Sequence, residues 1–242
     1  MEDITMKKNE ETITVDTGIE TLNNDTELVF IIDRSGSMSG FESDTAGGFN
    51  SMIEKQKANG TGTVYVSTVV FDNYSEVVHD RVPIMEVERM TPEDCGARGC
   101  TALYDAIGGA IKHIGNVHKY ARREDVPAHT IFVITTDGME NASHNFTGKQ
   151  VKEMIKDRTE KYGWEFIFVA ANIDAADAAG DIGIRAERTA NYVQCEEGIK
   201  ACYEAMDNFV TMKRSNPKIM CSDTSWRGDL EKNEKKSANK IN

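Results

Sequence analysis

The sequence predicts an α/β fold: an open, doubly wound, mostly parallel central sheet with helices on both faces and one short antiparallel edge strand. Three observations carry this. Two near-continuous apolar runs, ELVFIID at 27–33 and HTIFVITTD at 129–137, each end in a carboxylate, as strands buried on both faces of a sheet do. Segments with a 3.6-residue apolar period alternate with such runs, which is the sequence form of strands joined by crossover helices. At about 100–200 residues per domain, the 242 residues hold one full-size core, and no internal repeat divides them.

Taken in order, residues 1–26 carry seven acidic and two basic side chains and few large apolar ones, so they read as a polar lead-in with one short pairing segment at 12–15. The first strand occupies 27–33, and Phe49, Met52, Ile53 and Gln56 mark one face of the helix after it. TVYVSTVVF at 63–71 is rich in β-branched residues and forms the second strand, with 76–79 returning beside it as a short hairpin strand. Leu103, Ile107, Ala110, Ile111, Ile114 and Val117 stripe a long helix; the strand at 129–137 follows, and Val151, Met154 and Ile155 mark a third helix. WEFIFVA at 164–170 gives the next strand, a short helical piece spans 174–181, and a weaker last strand lies at 186–193. Ile199, Cys202, Tyr203, Met206, Phe209 and Val210 make the last helix, 194–212, strongly amphipathic. From Lys213 onward the chain has eight basic and four acidic residues, with Trp226 its one aromatic, the composition of a mobile tail. The folded domain is therefore expected at 27–212, with the basic tail at 213–242.

Charge narrows the function. The net charge is −12, and without the basic tail residues 1–212 carry −16. Nucleic-acid binding needs clustered Lys and Arg to displace counterions, so no nucleic-acid partner is expected. No apolar run approaches the ~18 residues that would span a bilayer, and the opening MEDITMKKNEETITVDT lacks the basic start and apolar stretch of a signal peptide. No membrane partner is expected either. Five cysteines scattered over a long chain do not form a disulfide framework, and a reducing cytoplasm is the simplest setting.

The chemistry concentrates at strand ends. DRSGSM places Asp33, Ser35 and Ser37 at alternate positions of a loop leading toward a helix, where their oxygens can converge on one point. Thr101 opens the Leu103-striped helix directly after CGARGC, and Asp137 closes the strand at 129–137, followed by Gly138. Carboxylates and hydroxyls are hard, small donors suited to Mg²⁺ or Mn²⁺, with Ca²⁺ a weaker candidate and Zn²⁺ favouring His and Cys. Taken alone, Asp33, Ser35 and Ser37 also read as turn and cap residues.

The DRSGSM loop, a Thr opening the next long helix and TTDG after a buried strand, in that order, resemble the von Willebrand factor A family and its metal-ion-dependent adhesion site. The likeness covers roughly residues 27–212, and VAANIDAADAAGDIGI at 169–184 is similar to compact, free-standing bacterial members. The resemblance implies a doubly wound sheet and one divalent cation held by Asp33, Ser35, Ser37, Thr101 and Asp137. The hydroxyls are then direct ligands, the carboxylates act largely through water, and a carboxylate from a protein partner fills the open position. It also implies an intracellular adaptor working beside ATPases, kinases, phosphatases or stress and conflict systems, and a last helix that shifts as the metal site changes state. Cys100, directly before Thr101, stands where Gly or Ser is commoner in the family.

Other residues read more plainly. Asp105 is expected as an exposed helix carboxylate, Asp72 as a strand-terminating turn residue, and Glu140 and Asn141 as members of a solvated loop. His79, His113, His118, His129 and His144 show no ligand spacing with the cysteines, and Cys195 and Cys202 read as small apolar residues. An enzyme, such as a Mg²⁺-dependent phosphohydrolase with Asp33 as nucleophile, is the competing class. It lacks support because a second acid is needed two positions on, where Ser35 stands, and because neither a phosphate loop nor a dinucleotide loop is present. A surface adhesin using the same ion chemistry is a third class, disfavoured by the missing secretion signals. The expected function is a divalent-cation-dependent protein-binding module, not an enzyme.

Overall fold

The computed structural model describes residues 24–59, 62–216 and 222–233; the expected pairing segment at 12–15 lies outside them, as does Cys221. Six strands form one sheet in the order β3-β2-β1-β4-β5-β6. They are β1 (Thr26–Asp33), β2 (Val64–Phe71), β3 (Ser75–Pro83), β4 (His129–Thr136), β5 (Glu165–Ala170) and β6 (Thr189–Asn191). Every pairing is parallel except β2 with β3. Five helices, α1 (Glu42–Ala58), α2 (Leu103–Tyr120), α3 (Gly148–Tyr162), α4 (Ala175–Asp181) and α5 (Glu196–Ser215), cover its two faces.

Alternation along β1 divides the core. Leu28, Phe30 and Ile32 face α1 and α5, whereas Val29 and Ile31 face α2, α3 and α4. This is why a strand buried along its whole length reads as a continuous apolar run rather than an alternating one. α1 and α5 approach closely because Gly48 has no side chain: a Cβ there would fall 2.2 Å from the Tyr203 ring. Gln56, an amide on the apolar face of α1, is buried yet satisfied, donating to the Asp207 carboxylate at 2.7 Å and accepting from Arg214 at 2.7 Å. At α3, Thr147 and Gln150 form a reciprocal cap at the start, and Gly163 in the left-handed region ends the helix.

Some boundaries differ from the sequence reading. β3 runs nine residues rather than four, with register shifts against β2 that let its exposed outer residues, too polar to show as a strand pattern, continue the ladder. β6 shortens to three residues at the sheet edge. The basic segment from Lys213 is not a loose tail over its described part. Lys213 and Arg214 continue α5, buried, with Lys213 paired to Glu165 and Arg214 donating to the Gln56 carbonyl. Trp226 is 2% exposed, packs edge-on against Phe209 at 5.6 Å and donates its indole N–H to the Glu187 carbonyl, and Leu230 joins the same core. Composition missed this because two buried anchors in a polar stretch hardly move an average, while one tryptophan contributes a large apolar area.

Candidate metal centre

The strand order reverses its direction of growth at β1 and β4, which lie side by side in parallel with Ile32 opposite Thr135. Ligands of doubly wound sheets settle at the carboxyl ends of the strands flanking such a switch point. Asp33 is the last residue of β1, and Asp137 follows the last residue of β4.

A chain of short hydrogen bonds joins these ends. Asp33 accepts from the Ser35 backbone N–H at 2.7 Å and from the Thr136 hydroxyl at 2.6 Å. The Ser35 and Ser37 hydroxyls lie 3.1 Å apart, and the Ser37 hydroxyl donates to Asp137 at 2.7 Å across a hundred residues of sequence. Thr101 completes the group from the other side: a methyl placed on Gly138 would lie 3.5 Å from its hydroxyl oxygen and 3.9 Å from that of Ser37. Thr101 sits two residues before α2 rather than opening the helix, since Ala102 takes the cap position. Its backbone is pinned at both ends by Asn141, whose side chain accepts from the Thr101 N–H at 2.9 Å and whose own N–H donates to the Thr101 carbonyl at 3.0 Å.

The electrostatics of this group are unbalanced. Asp33 and Asp137 are 1% and 2% exposed, and among the described residues every hydrogen-bond partner of either carboxylate is a neutral donor. Burial, with a smaller contribution from the neighbouring Asp137 charge, pushes the Asp33 carboxyl above its ordinary value despite the hydrogen bonds that oppose it. Two buried negative charges without a cation are costly. The nearest guanidinium in sequence, Arg34, turns away: it bonds Asp72 at 3.0 Å and Glu76 at 2.7 Å. A divalent cation among these oxygens would supply the missing charge. The donor set fits a hard ion, three hydroxyls and two carboxylates with no nitrogen or sulfur. Among the described residues no three His, Cys, Asp or Glu side chains form a group that could hold a metal ion. Cys95 is buried, its thiol pushed up to about 12, and Cys100 is exposed.

Several positioning residues were invisible or undervalued in the sequence. Thr136 holds Asp33, and Gln194, one step ahead of the α5 cap, donates to Asp137 at 2.7 Å and to the Ser37 carbonyl at 2.9 Å. Asn172, at a left-handed φ of 58°, donates to the Gln194 side chain at 2.7 Å. Asp105 is not a free helix carboxylate: it accepts the N–H groups of His144, Asn145 and Phe146 at 2.8–2.9 Å. Burial raises its carboxyl, and those bonds outweigh the burial and hold it below the usual value. Glu140 is no solvated loop residue either, since it accepts from the backbone N–H groups of Tyr104, Ala142 and Ser143. Asp72 accepts from the N–H of Tyr74 in its turn and also anchors Arg34 and Arg98, tying the DRSGSM loop to the loop before Thr101. The sequence signal available for all of these was polar residues within a few positions of the motif, which does not reveal partners.

No family model matches the chain, and no curated protein matches it. Solved structures do. The PilB minor pilin from Streptococcus sanguinis superposes with a TM-score of 0.55 at 11% identity over 78% of this chain and 62% of its own. Proximal thread matrix protein 1 from the mussel byssus, solved with a zinc-occupied MIDAS motif, gives 0.53 at 14% identity over 77% and 46%. A von Willebrand factor type A structure from Catenulispora acidiphila gives 0.52 at 13% over 76% and 42%. The chain thus spans less than two thirds of each of these proteins. A six-stranded sheet with a single antiparallel pair, helices on both faces and these superpositions together give the chain a von Willebrand factor A-like fold.

Proposed function

We propose that the domain is a divalent-cation-dependent protein-binding module, an adaptor rather than an enzyme, with Mg²⁺ or Mn²⁺ held by Asp33, Ser35, Ser37, Thr101 and Asp137. One observation carries this: two buried carboxylates, adjacent at the carboxyl ends of β1 and β4, have only neutral hydrogen-bond donors among the described residues. Neutral hydroxyls would leave a bound ion electrophilic, able to take a carboxylate from the partner as a charge-assisted contact. On this reading Thr136 and Gln194 keep one oxygen of each Asp occupied and fix the direction of the other. Asn141 holds the Thr101 backbone so that its hydroxyl, which has no hydrogen-bond partner among the described residues, stays at the site.

The zinc-occupied MIDAS of the mussel protein supports a divalent site on this scaffold, and the all-oxygen donor set here favours the harder ions. The binding class is favoured over a phosphohydrolase because no acid stands two positions beyond Asp33. A cytoplasmic setting is supported by four unpaired cysteines, and no helix among the described residues is long and apolar enough to cross a membrane.

The test is a paired capture from native lysate, wild type beside Asp33→Ala, each with Mg²⁺ and with chelator, together with calorimetric titration of Mg²⁺ and Mn²⁺ into the full chain. A partner kept by wild type with Mg²⁺ and lost in the other three conditions is expected. The same proteins in all four, or no cation binding, would sink the reading.

A further inference from the structure

The opposite pole of the sheet, where β4 and β5 begin, holds a cavity of about 760 Å³ between the last turns of α2 and α3 and the segment leading into β4. Gly115 and the buried Trp164 line it, and three cations face it: Lys119, Arg123 and Arg158. None of the three has a carboxylate partner among the described residues. The acids of the same segments pair with other bases, Asp125 and Glu124 with Arg122, Asp157 with Lys161, Glu160 with Lys156, and the buried Glu27 with Arg81 and His118, while the Asp157 charge also reaches Arg158 through space.

Arg158 is held in place by its surroundings. Its guanidinium carbon lies 4.9 Å from the Tyr162 ring centre and 5.2 Å from that of Trp164. It passes over Gly115, where a Cβ would come within 2.8 Å of a guanidinium nitrogen, so the glycine lets it lie there without shifting. Trp164 is fixed in turn by stacking on Phe132 at 5.3 Å and by the edge of His118 at 5.5 Å. A stacked guanidinium with unused N–H groups is a preorganised, bidentate oxyanion donor. The carbonyl ends of α2 and α3 explain a basic residue in each last turn. They do not explain a guanidinium laid against two rings with no carboxylate ion pair among the described residues, nor Arg123, which lies beyond α2.

We propose that this cavity binds a small phosphorylated molecule, with Arg158 taking the phosphoryl oxygens and Lys119 and Arg123 neutralising the rest of the charge. Three cations match the near-dianionic charge of a phosphate ester better than a single carboxylate. The volume suits one small ligand, such sites spanning roughly 300–1,000 Å³. Nothing here depends on the cation site at the other pole.

The experiment titrates pyrophosphate and ATP, separately, into the full chain by calorimetry at low ionic strength with chelator present, so that metal-bridged phosphate at the other pole is excluded. Saturable binding of at least one probe is expected. Arg158→Gln should weaken it about tenfold or more and the exposed Arg123→Gln about threefold, with Asp33→Asn unchanged. Arg123→Gln guards against a folding defect in the first variant. No saturable binding of either probe, or equal affinity in both arginine variants and wild type, would overturn the proposal. Sedimentation with phosphatidylcholine vesicles carrying phosphatidylinositol bisphosphate, without binding of soluble probes, would overturn it in favour of a lipid headgroup.

Discussion

The two poles of this sheet solve charge in opposite ways. At the carboxyl end, Asp33 and Asp137 are buried among hydroxyls, amides and backbone N–H groups, with the one adjacent guanidinium drawn off to Asp72 and Glu76. At the amino end, Lys119, Arg123 and Arg158 gather while the nearby acids pair elsewhere. Buried charge left without a partner is destabilising, which bears on Asp33 and Asp137; at the other pole Lys119 and Arg123 are exposed and Arg158 is half-buried, so a counter-ion there has less to offset. The contrast is sharpest because the chain is acidic overall: the proposed cation at one pole would run with the global field, and the proposed anion at the other would be held against it.

The largest effect expected from breaking this contrast is at Asp33. Asp33→Ala should remove saturable Mg²⁺ binding altogether, read by calorimetry, while Arg158→Gln leaves it untouched. Next in size is the docked C-terminal segment, which serves neither pole. Trp226→Ala should cost about 3–5 kcal/mol in denaturant unfolding, the usual price of emptying a buried aromatic site, with Mg²⁺ affinity per folded molecule unchanged. Thr136→Val and Gln194→Ala, which keep all five ligating candidates but free one carboxylate oxygen, should each weaken Mg²⁺ by about 10–100-fold. Gln194 also joins the site to the start of α5, so Mg²⁺ should alter hydrogen exchange in residues 194–212. Unchanged exchange on saturation would mean that this helix does not follow the site.

The smaller effects are in pH. The folded Asp33 carboxyl is raised above 3.8, so the cation-free fold favours the protonated form. Its contribution to stability is present below the unfolded value and is lost as pH rises through the folded one, which leaves a penalty at neutral pH. Asp33→Asn should therefore raise the melting temperature in chelator while abolishing the Mg²⁺-induced rise, and that rise in wild type should shrink on acidification as protons compete. Asp105 has the opposite sign: lowered when folded, it stabilises above 3.8 and loses that contribution as pH falls through its folded value. Asp105→Asn should flatten the acid limb of the melting curve and leave the neutral-pH cation response largely intact.

Much of the architecture was legible. Continuous apolar runs named β1 and β4, and helical stripes named the faces of α1, α2 and α5, because burial imposes a period that sequence carries directly. Asp33 ends β1 and Asp137 follows β4, while Thr101, expected to open a helix, lies in the loop before α2. What was not legible was everything set by a side chain's partner. Asp105 and Glu140 looked like exposed loop and helix acids, and each in fact organises the loop after β4 by collecting backbone N–H groups. Trp226 looked like the lone aromatic of a tail, and only the cleft beside Phe209 makes it core.

By itself, then, the sequence determined the order of strands and helices, the faces they bury and the placing of Asp33 and Asp137 at strand ends, since these follow from local period and from where each apolar run stops. The tertiary structure alone decided that Arg34 serves Asp72 rather than Asp33, that Gln194 reaches Asp137, and that Arg158 lies over Gly115. The physical reason is that the balance of charge at a point depends on which side chains meet there, and chain separation says little about meeting: Ser37 and Asp137 stand a hundred residues apart, and the Ser37 hydroxyl donates to the Asp137 carboxylate at 2.7 Å.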